Sequence, residues 1–110
     1  MDRNLDGVYF RVEREGKWQS ICFTDLHEYE ILEVLQGRSE SWLTNLYDRL
    51  VETLLDTKRI INREIIDQAV DSALNLLDKQ EMSALKLIHI KNVIRNLADF
   101  YDIVYDYEDE

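Results

Sequence analysis

The stretch SESWLTNLYDRLVETLLD, residues 39–56, decides how this chain folds. Its apolar residues occur as adjacent pairs that recur every four positions: Trp42 with Leu43, Leu46 with Tyr47, Leu50 with Val51, and Leu54 with Leu55. Four residues advance an α-helix by about 400°, so successive pairs lie almost above one another. A strand would need apolar residues at every second position, which this stretch lacks. The pattern therefore predicts a central helix over residues 40–56 with two adjacent apolar ridges, wide enough to contact two neighbouring elements.

A β-hairpin is predicted ahead of the central helix, over residues 7–23. Apolar and polar residues alternate on both sides of Glu15 and Gly16, which are typical of a two-residue turn. The register that this turn sets pairs Phe10 with Ile21 and collects most apolar residues on one face. The other face holds Tyr9, Arg11, Glu13, Trp18, Ser20 and Cys22. Because two strands alone are marginally stable in water, we expect the apolar face to pack on the helices or on another chain.

A first helix is predicted over residues 25–36, between the hairpin and the central helix. Thr24 is typical of an N-cap, and Gly37 of the left-handed residue that follows a helix end. Ser39 is typical of the cap of the central helix and follows almost at once. We therefore expect the first two helices to meet at a tight corner.

Two more helices are predicted after the central one. The paired pattern fails at residues 57–61, which predicts a break there, with Asn62 as the N-cap of a helix over residues 63–79. A fourth helix is predicted over residues 84–104 after a second break; the alternative is one helix that continues through residues 80–83. The predicted fold class is α+β, mainly α, with an N-terminal β-hairpin packed on about four helices in a single domain, residues 1–110.

The negative charge is concentrated at the C-terminal end of the chain. Of the 23 acidic residues, six lie within residues 99–110 with no base among them, which leaves 17 acids and 13 bases in the first 98 residues. A net charge of −10 repels nucleic acid phosphates and argues against direct nucleic acid binding. Residues 105–110 form an acidic tail in which Tyr105 and Tyr107 flank Asp106. Such a tail either keeps the chain soluble or occupies a basic groove on a partner protein.

No catalytic, metal-binding or cofactor-binding residue is predicted. Three scattered glycines cannot form a phosphate-binding loop, and a single cysteine, Cys22, excludes a CxxC zinc or redox site. The two histidines, His27 and His89, are 62 positions apart, and the pair Glu30 and Glu33 is typical of a solvated helix face. The chain shows no secretion signal and no apolar run of about 18 residues, so we expect a cytoplasmic protein that does not enter a membrane.

The N-terminal half resembles small uncharacterised proteins encoded by phages and prophages of Gram-positive bacteria. The resemblance covers roughly residues 7–50 and is carried by GVYFRV (7–12), GKW (16–18), CFTDL (22–26), Leu35, Gly37-Arg38-Ser39 and Trp42-Leu43. It implies a mobile-element setting and carries over no functional residue.

These observations favour a non-catalytic regulatory protein that acts by binding another protein. Tyr9 and Trp18 on the second hairpin face, and Tyr105, Asp106 and Tyr107 in the tail, are the candidate contact residues. The alternative is an acidic inhibitor that mimics nucleic acid and blocks a nucleic-acid-binding site on a host or rival enzyme. The doubled ridges and the open hairpin edge also favour a homodimer.

Overall fold

The computed structural model describes residues 5–103 and places a β-hairpin before four α-helices. The elements are β1 (Tyr9–Arg14), β2 (Lys17–Cys22), a short 3-10 turn (Phe23–Asp25), α1 (Glu28–Leu35), α2 (Glu40–Ile61), α3 (Glu64–Asp78) and α4 (Ala84–Tyr101). Helices account for 67% of these residues and strands for 12%, which confirms the predicted α+β class, mainly α by content.

The hairpin has the predicted register, with Arg14 paired to Lys17 and Phe10 paired to Ile21. Glu15 and Gly16 form the turn with φ angles of 53° and 75°, the left-handed conformations that a type I′ turn requires. On the inner face, Phe10 packs against the rings of Phe23 and Trp42, at centroid distances of 5.9 and 6.1 Å. The apolar face of the hairpin therefore lies on the helices, as part of the main core.

The central helix α2 supplies the middle of the core and packs against α3 and α4. Leu46, Leu50 and Leu54 are buried, whereas Val51 and Leu55 of the second ridge are only half-buried. Ser39 caps this helix as predicted, because its hydroxyl accepts a hydrogen bond of 3.1 Å from the N–H of Trp42.

The first helix begins later than predicted, at Glu28 instead of residue 25, so Thr24 is not its N-cap. Thr24 lies buried in the 3-10 turn, where its N–H donates to the Asp6 carboxylate at 2.8 Å. His27 caps α1 instead: the Glu30 side chain accepts from the His27 N–H at 2.8 Å and completes a capping box. The start of this helix is thus set by contacts that the local residue pattern does not reveal.

The predicted break over residues 57–61 is wrong, because α2 continues to Ile61. The ammonium group of Lys58 lies 3.2 Å from the carboxylate of Asp71 on α3, so a charge that interrupts the apolar pattern is neutralised across the helix pair. Asn62, at φ 50°, ends α2 instead of capping α3, and Arg63 takes the N-cap position of α3.

The break before α4 is confirmed, since Ser83 caps that helix by accepting from the N–H of Lys86 at 3.3 Å. The helix ends at Tyr101 instead of residue 104. Asp102 adopts a left-handed conformation there, and the Ile103 N–H donates a hydrogen bond to the Ala98 carbonyl.

Only one ridge of α3 is buried, through residues such as Val70 and Leu77. The sequence of α3 repeats the paired apolar pattern of α2, but Ile65 and Ala69 of its second ridge are exposed, because α3 lies at the edge of the helix packing and meets neighbours on one side.

Candidate protein-binding surface

The candidate surface is the outer face of the hairpin, where the structure places Tyr9 and Trp18. Their side chains are 46% and 61% exposed, respectively. Tyr9 is paired with Cys22 and Trp18 with Glu13, so the two aromatic residues lie on the same face at opposite ends of the sheet. Four strand positions separate those ends, or about 13 Å. Both predicted residues therefore belong to one surface but do not form one cluster.

The middle of this outer face is polar and exposed. Arg11 lies opposite Ser20 between the two aromatic residues, and both are exposed to solvent. The outer face therefore has aromatic residues at its two ends and a charged, polar centre.

A buried ion pair on the inner side anchors the hairpin to α1. The Arg14 guanidinium donates from Nε to Glu30 Oε2 at 3.0 Å and from Nη2 to Oε1 at 2.8 Å. Glu30 is only 2% exposed, so its prediction as a solvated surface carboxylate is wrong. The hydrogen bonds from Arg14 lower the pKa of Glu30, which keeps the carboxylate ionised.

The 3-10 turn after β2 ties the hairpin to α4. Arg95 forms an ion pair with the side chain of Asp25 and donates to the carbonyl of Thr24 at 3.1 Å. The buried Asp6 carboxylate accepts from the N–H groups of Val8 and Thr24, both at 2.8 Å, although burial raises its pKa. The strands that present Tyr9 and Trp18 are therefore held in place by contacts with the N-terminal segment, α1 and α4.

Cys22 was predicted on the outer face but is only 1% exposed. The backbone of Leu5 and the side chain of Asp25 cover that end of the sheet, and Cys22 Sγ donates to Asp25 Oδ2 at 3.1 Å. Burial raises the pKa of the Cys22 thiol to about 12. The thiol is thus protonated at neutral pH and poorly suited to act as a nucleophile.

A groove of about 470 Å³ extends the surface from Tyr9 towards α2. Its walls are formed by Gly7, Val8, Tyr9, Trp42, Asn45, Leu46 and Arg49. Gly7 has a φ of +69°, a left-handed conformation that favours glycine. A Cβ added there would lie 3.2 Å from Arg49 Nη2, the end of a long side chain. Sequence reasoning missed the contribution of Trp42 and Arg49, because only the packing of the hairpin on α2 brings them beside Tyr9.

The two histidines lie in separate local contacts. The ring of His27 stacks on Tyr29 at a centroid distance of 5.7 Å, and His89 Nδ1 lies 3.3 Å from Gln80 Oε1. Among residues 5–103, no group of three or more His, Cys, Asp or Glu side chains is placed to hold a metal ion. The predicted contact residues Tyr105, Asp106 and Tyr107 lie outside the described residues.

The fold and surface together define a small α+β protein, mainly α, with an aromatic outer hairpin face. The chain matches no protein-family model, no curated protein and no solved structure. Within residues 5–103, no helix combines the length and the apolar character needed to cross a membrane.

Proposed function

We propose that this chain is a non-catalytic regulatory protein that binds another protein through the outer face of its hairpin. The observation that carries the proposal is the exposure of Tyr9 and Trp18 on a strand face anchored by the buried pair of Arg14 and Glu30. Tyr and Trp are the residues on which binding energy concentrates at protein interfaces. A surface already held in place loses little conformational freedom when it binds, which favours affinity.

The setting of the protein is part of the proposal. The resemblance of residues 7–50 to phage and prophage proteins of Gram-positive bacteria supports a role in a mobile element. The single cysteine, held as a protonated thiol, supports a reducing cytoplasm and a role without nucleophilic catalysis.

Affinity capture with matched aromatic variants tests this proposal. Tagged wild-type chain, Tyr9→Ala and Trp18→Ala are each used to capture proteins from cells of the natural host, with quantification by mass spectrometry. Replacing a hot-spot aromatic residue by Ala typically costs about 2 kcal/mol or more of binding free energy, so both variants should lose the partner. The control is Phe100→Ala on α4, whose side chain is 80% exposed and lies off the hairpin. Capture that survives both hairpin variants would contradict the proposal.

The acidic inhibitor remains the second candidate, because residues 99–110 contain six acids and no base. The tail is best tested by replacing its acids with their amides from residue 106 onward, since Ile103 is buried and Asp99 lies 3.5 Å from Arg95. Loss of the partner in this variant, with retention in Trp18→Ala, would favour the inhibitor. The opposite result would favour binding through the hairpin.

A further inference from the structure

The exposed edge of β1 carries backbone groups that can pair with another strand. Because Arg14 and Lys17 pair directly beside the two-residue turn, even-numbered residues of β1 exchange hydrogen bonds with β2. The bond of 2.8 Å from the Phe23 N–H to the Val8 carbonyl continues this alternation. The N–H and C=O groups of Arg11 and Glu13 therefore point away from β2. Among residues 5–103, the sheet has two strands and no third one covers this edge.

The side chains on this edge are complementary to a second copy of themselves. If two β1 strands run antiparallel about a two-fold axis at Val12, Arg11 of each copy lies directly opposite Glu13 of the other. These are the positions whose backbone groups point outward, so the same register forms hydrogen bonds and places opposite charges side by side. A register centred on Arg11 would instead place two guanidinium groups opposite each other, which is unfavourable.

The charge of the hairpin also suits self-association better than the charge of the whole chain. Residues 9–22 contain three basic and two acidic side chains, whereas the complete chain has a net charge of −10. Two copies that approach through their hairpins thus bring together segments of low net charge and keep the more acidic parts of the chain farther apart.

We infer that a second copy of this chain pairs with the β1 edge and forms a four-stranded sheet in the order β2-β1-β1-β2. The inference deepens the proposed function, on which it rests, because the resulting outer face carries two copies of Tyr9 and of Trp18. A partner protein would then meet a continuous and symmetric surface, in agreement with the isologous contacts of most dimers.

Charge reversal tests the register. Arg11→Glu places two acids opposite each other at both sites, and Glu13→Arg places two bases there. Each variant alone should dimerise at least about tenfold more weakly than wild type, because two attractive pairs become repulsive. An equimolar mixture of the two variants should form a heterodimer, since every facing pair is again of opposite charge. The double variant R11E/E13R should dimerise like wild type.

Sedimentation velocity over a range of concentrations at low salt measures these association constants, and hydrogen exchange locates the contact. In the dimer the amides of Arg11 and Glu13 should exchange more slowly than at dilutions where the chain is monomeric. Glu33→Arg, an exposed change on α1 with the same effect on net charge as Glu13→Arg, should leave dimerisation unchanged. Far-ultraviolet circular dichroism checks that each variant is folded. The double variant has the same amino-acid composition and net charge as wild type, so it controls for the effect of charge alone.

Two results would overturn the inference. The first is a wild-type chain that stays monomeric at all accessible concentrations; the second is a dimer that both single reversals leave intact. Neither result touches Tyr9 or Trp18, so the capture experiment with those variants decides the proposed function separately. If Trp18→Ala fails to capture the partner and the wild-type chain is monomeric, the proposed function stands and the inferred dimer does not.

Discussion

Glu30 and Arg14 show how one buried contact between side chains fixes the position of a surface hairpin. The carboxylate accepts two hydrogen bonds from the guanidinium and a third from the N–H of His27, so it serves the hairpin and the start of α1 together. The same guanidinium also donates from Nη2 to the Asp25 carbonyl at 3.1 Å, so Arg14 contacts both α1 and the 3-10 turn. The local sequence around Glu30 predicts an exposed helix face, since Arg14 lies 16 positions away.

Substitution of Glu30 by Gln should destabilise the protein in a pH-dependent way. The folded-state pKa of Glu30 lies below its ordinary value of 4.5. The ionised carboxylate therefore stabilises the fold in full at pH values above 4.5. This contribution is lost as the pH falls through the folded-state pKa. At pH 7 we expect the variant to lose about 1–3 kcal/mol of unfolding free energy. Urea denaturation at pH 7 and at successively lower pH should show the difference between wild type and variant shrinking below pH 4.5.

Glu33→Gln is the matched control for this prediction, because Glu33 lies on the same helix and is exposed. It should change stability by less than about 0.5 kcal/mol. A difference between wild type and Glu30→Gln that is the same at every pH would argue against a stabilising ionised carboxylate.

At the scale of elements, the hairpin was predictable, whereas the start of α1 and the ends of α2 and α4 were not. Strand alternation and the pair Glu15 and Gly16 specify the register, because a shift by one residue would expose the apolar face. Near the end of α2, Thr57 is buried and Lys58 reaches acids on α3, contacts that no local pattern contains. Likewise, alternation places Tyr9 on the outer face, whereas the groove beside it requires α2 to be docked against the hairpin. Local chemistry thus predicts elements, and tertiary contacts move their ends.

The turn of the hairpin can be stabilised by one substitution. Glu15 adopts a φ of 53°, a conformation that asparagine tolerates better than glutamate. Glu15→Asn creates the Asn-Gly pair that type I′ turns prefer and should raise the unfolding free energy by about 0.5–1 kcal/mol. Urea denaturation measures the change, with Glu33→Asn on α1 as a control that should not stabilise. A loss of stability in Glu15→Asn would contradict the type I′ assignment.

On the scale of the whole molecule, the 3-10 turn is the point where distant parts of the chain meet. Asp25 and Arg95 are 70 positions apart, and their ion pair joins the end of the hairpin to the middle of α4. The Asp25 side chain is almost fully buried and the Arg95 side chain is mostly so. Charged hydrogen bonds of this kind are stronger than exposed ones, because water and salt screen them less. We therefore expect this contact to couple the folding of the two halves of the chain.

A double-mutant cycle with Asp25→Asn and Arg95→Gln measures that coupling. We expect an interaction energy of about 1–2 kcal/mol, because hydrogen bonds between charged and largely buried groups are strong. Asp99, 3.5 Å from Arg95, is present in every variant of the cycle, so its contribution cancels. Asp56 and Arg59 on α2 provide the control: their atoms lie 3.2 Å apart, but the side chains are 44% and 77% exposed. The same cycle there should give less than about 0.5 kcal/mol, since water screens the pair. If the two pairs gave equal coupling energies, burial would not strengthen the pair of Asp25 and Arg95, and this contact would not couple the hairpin to α4 more strongly than an exposed pair does.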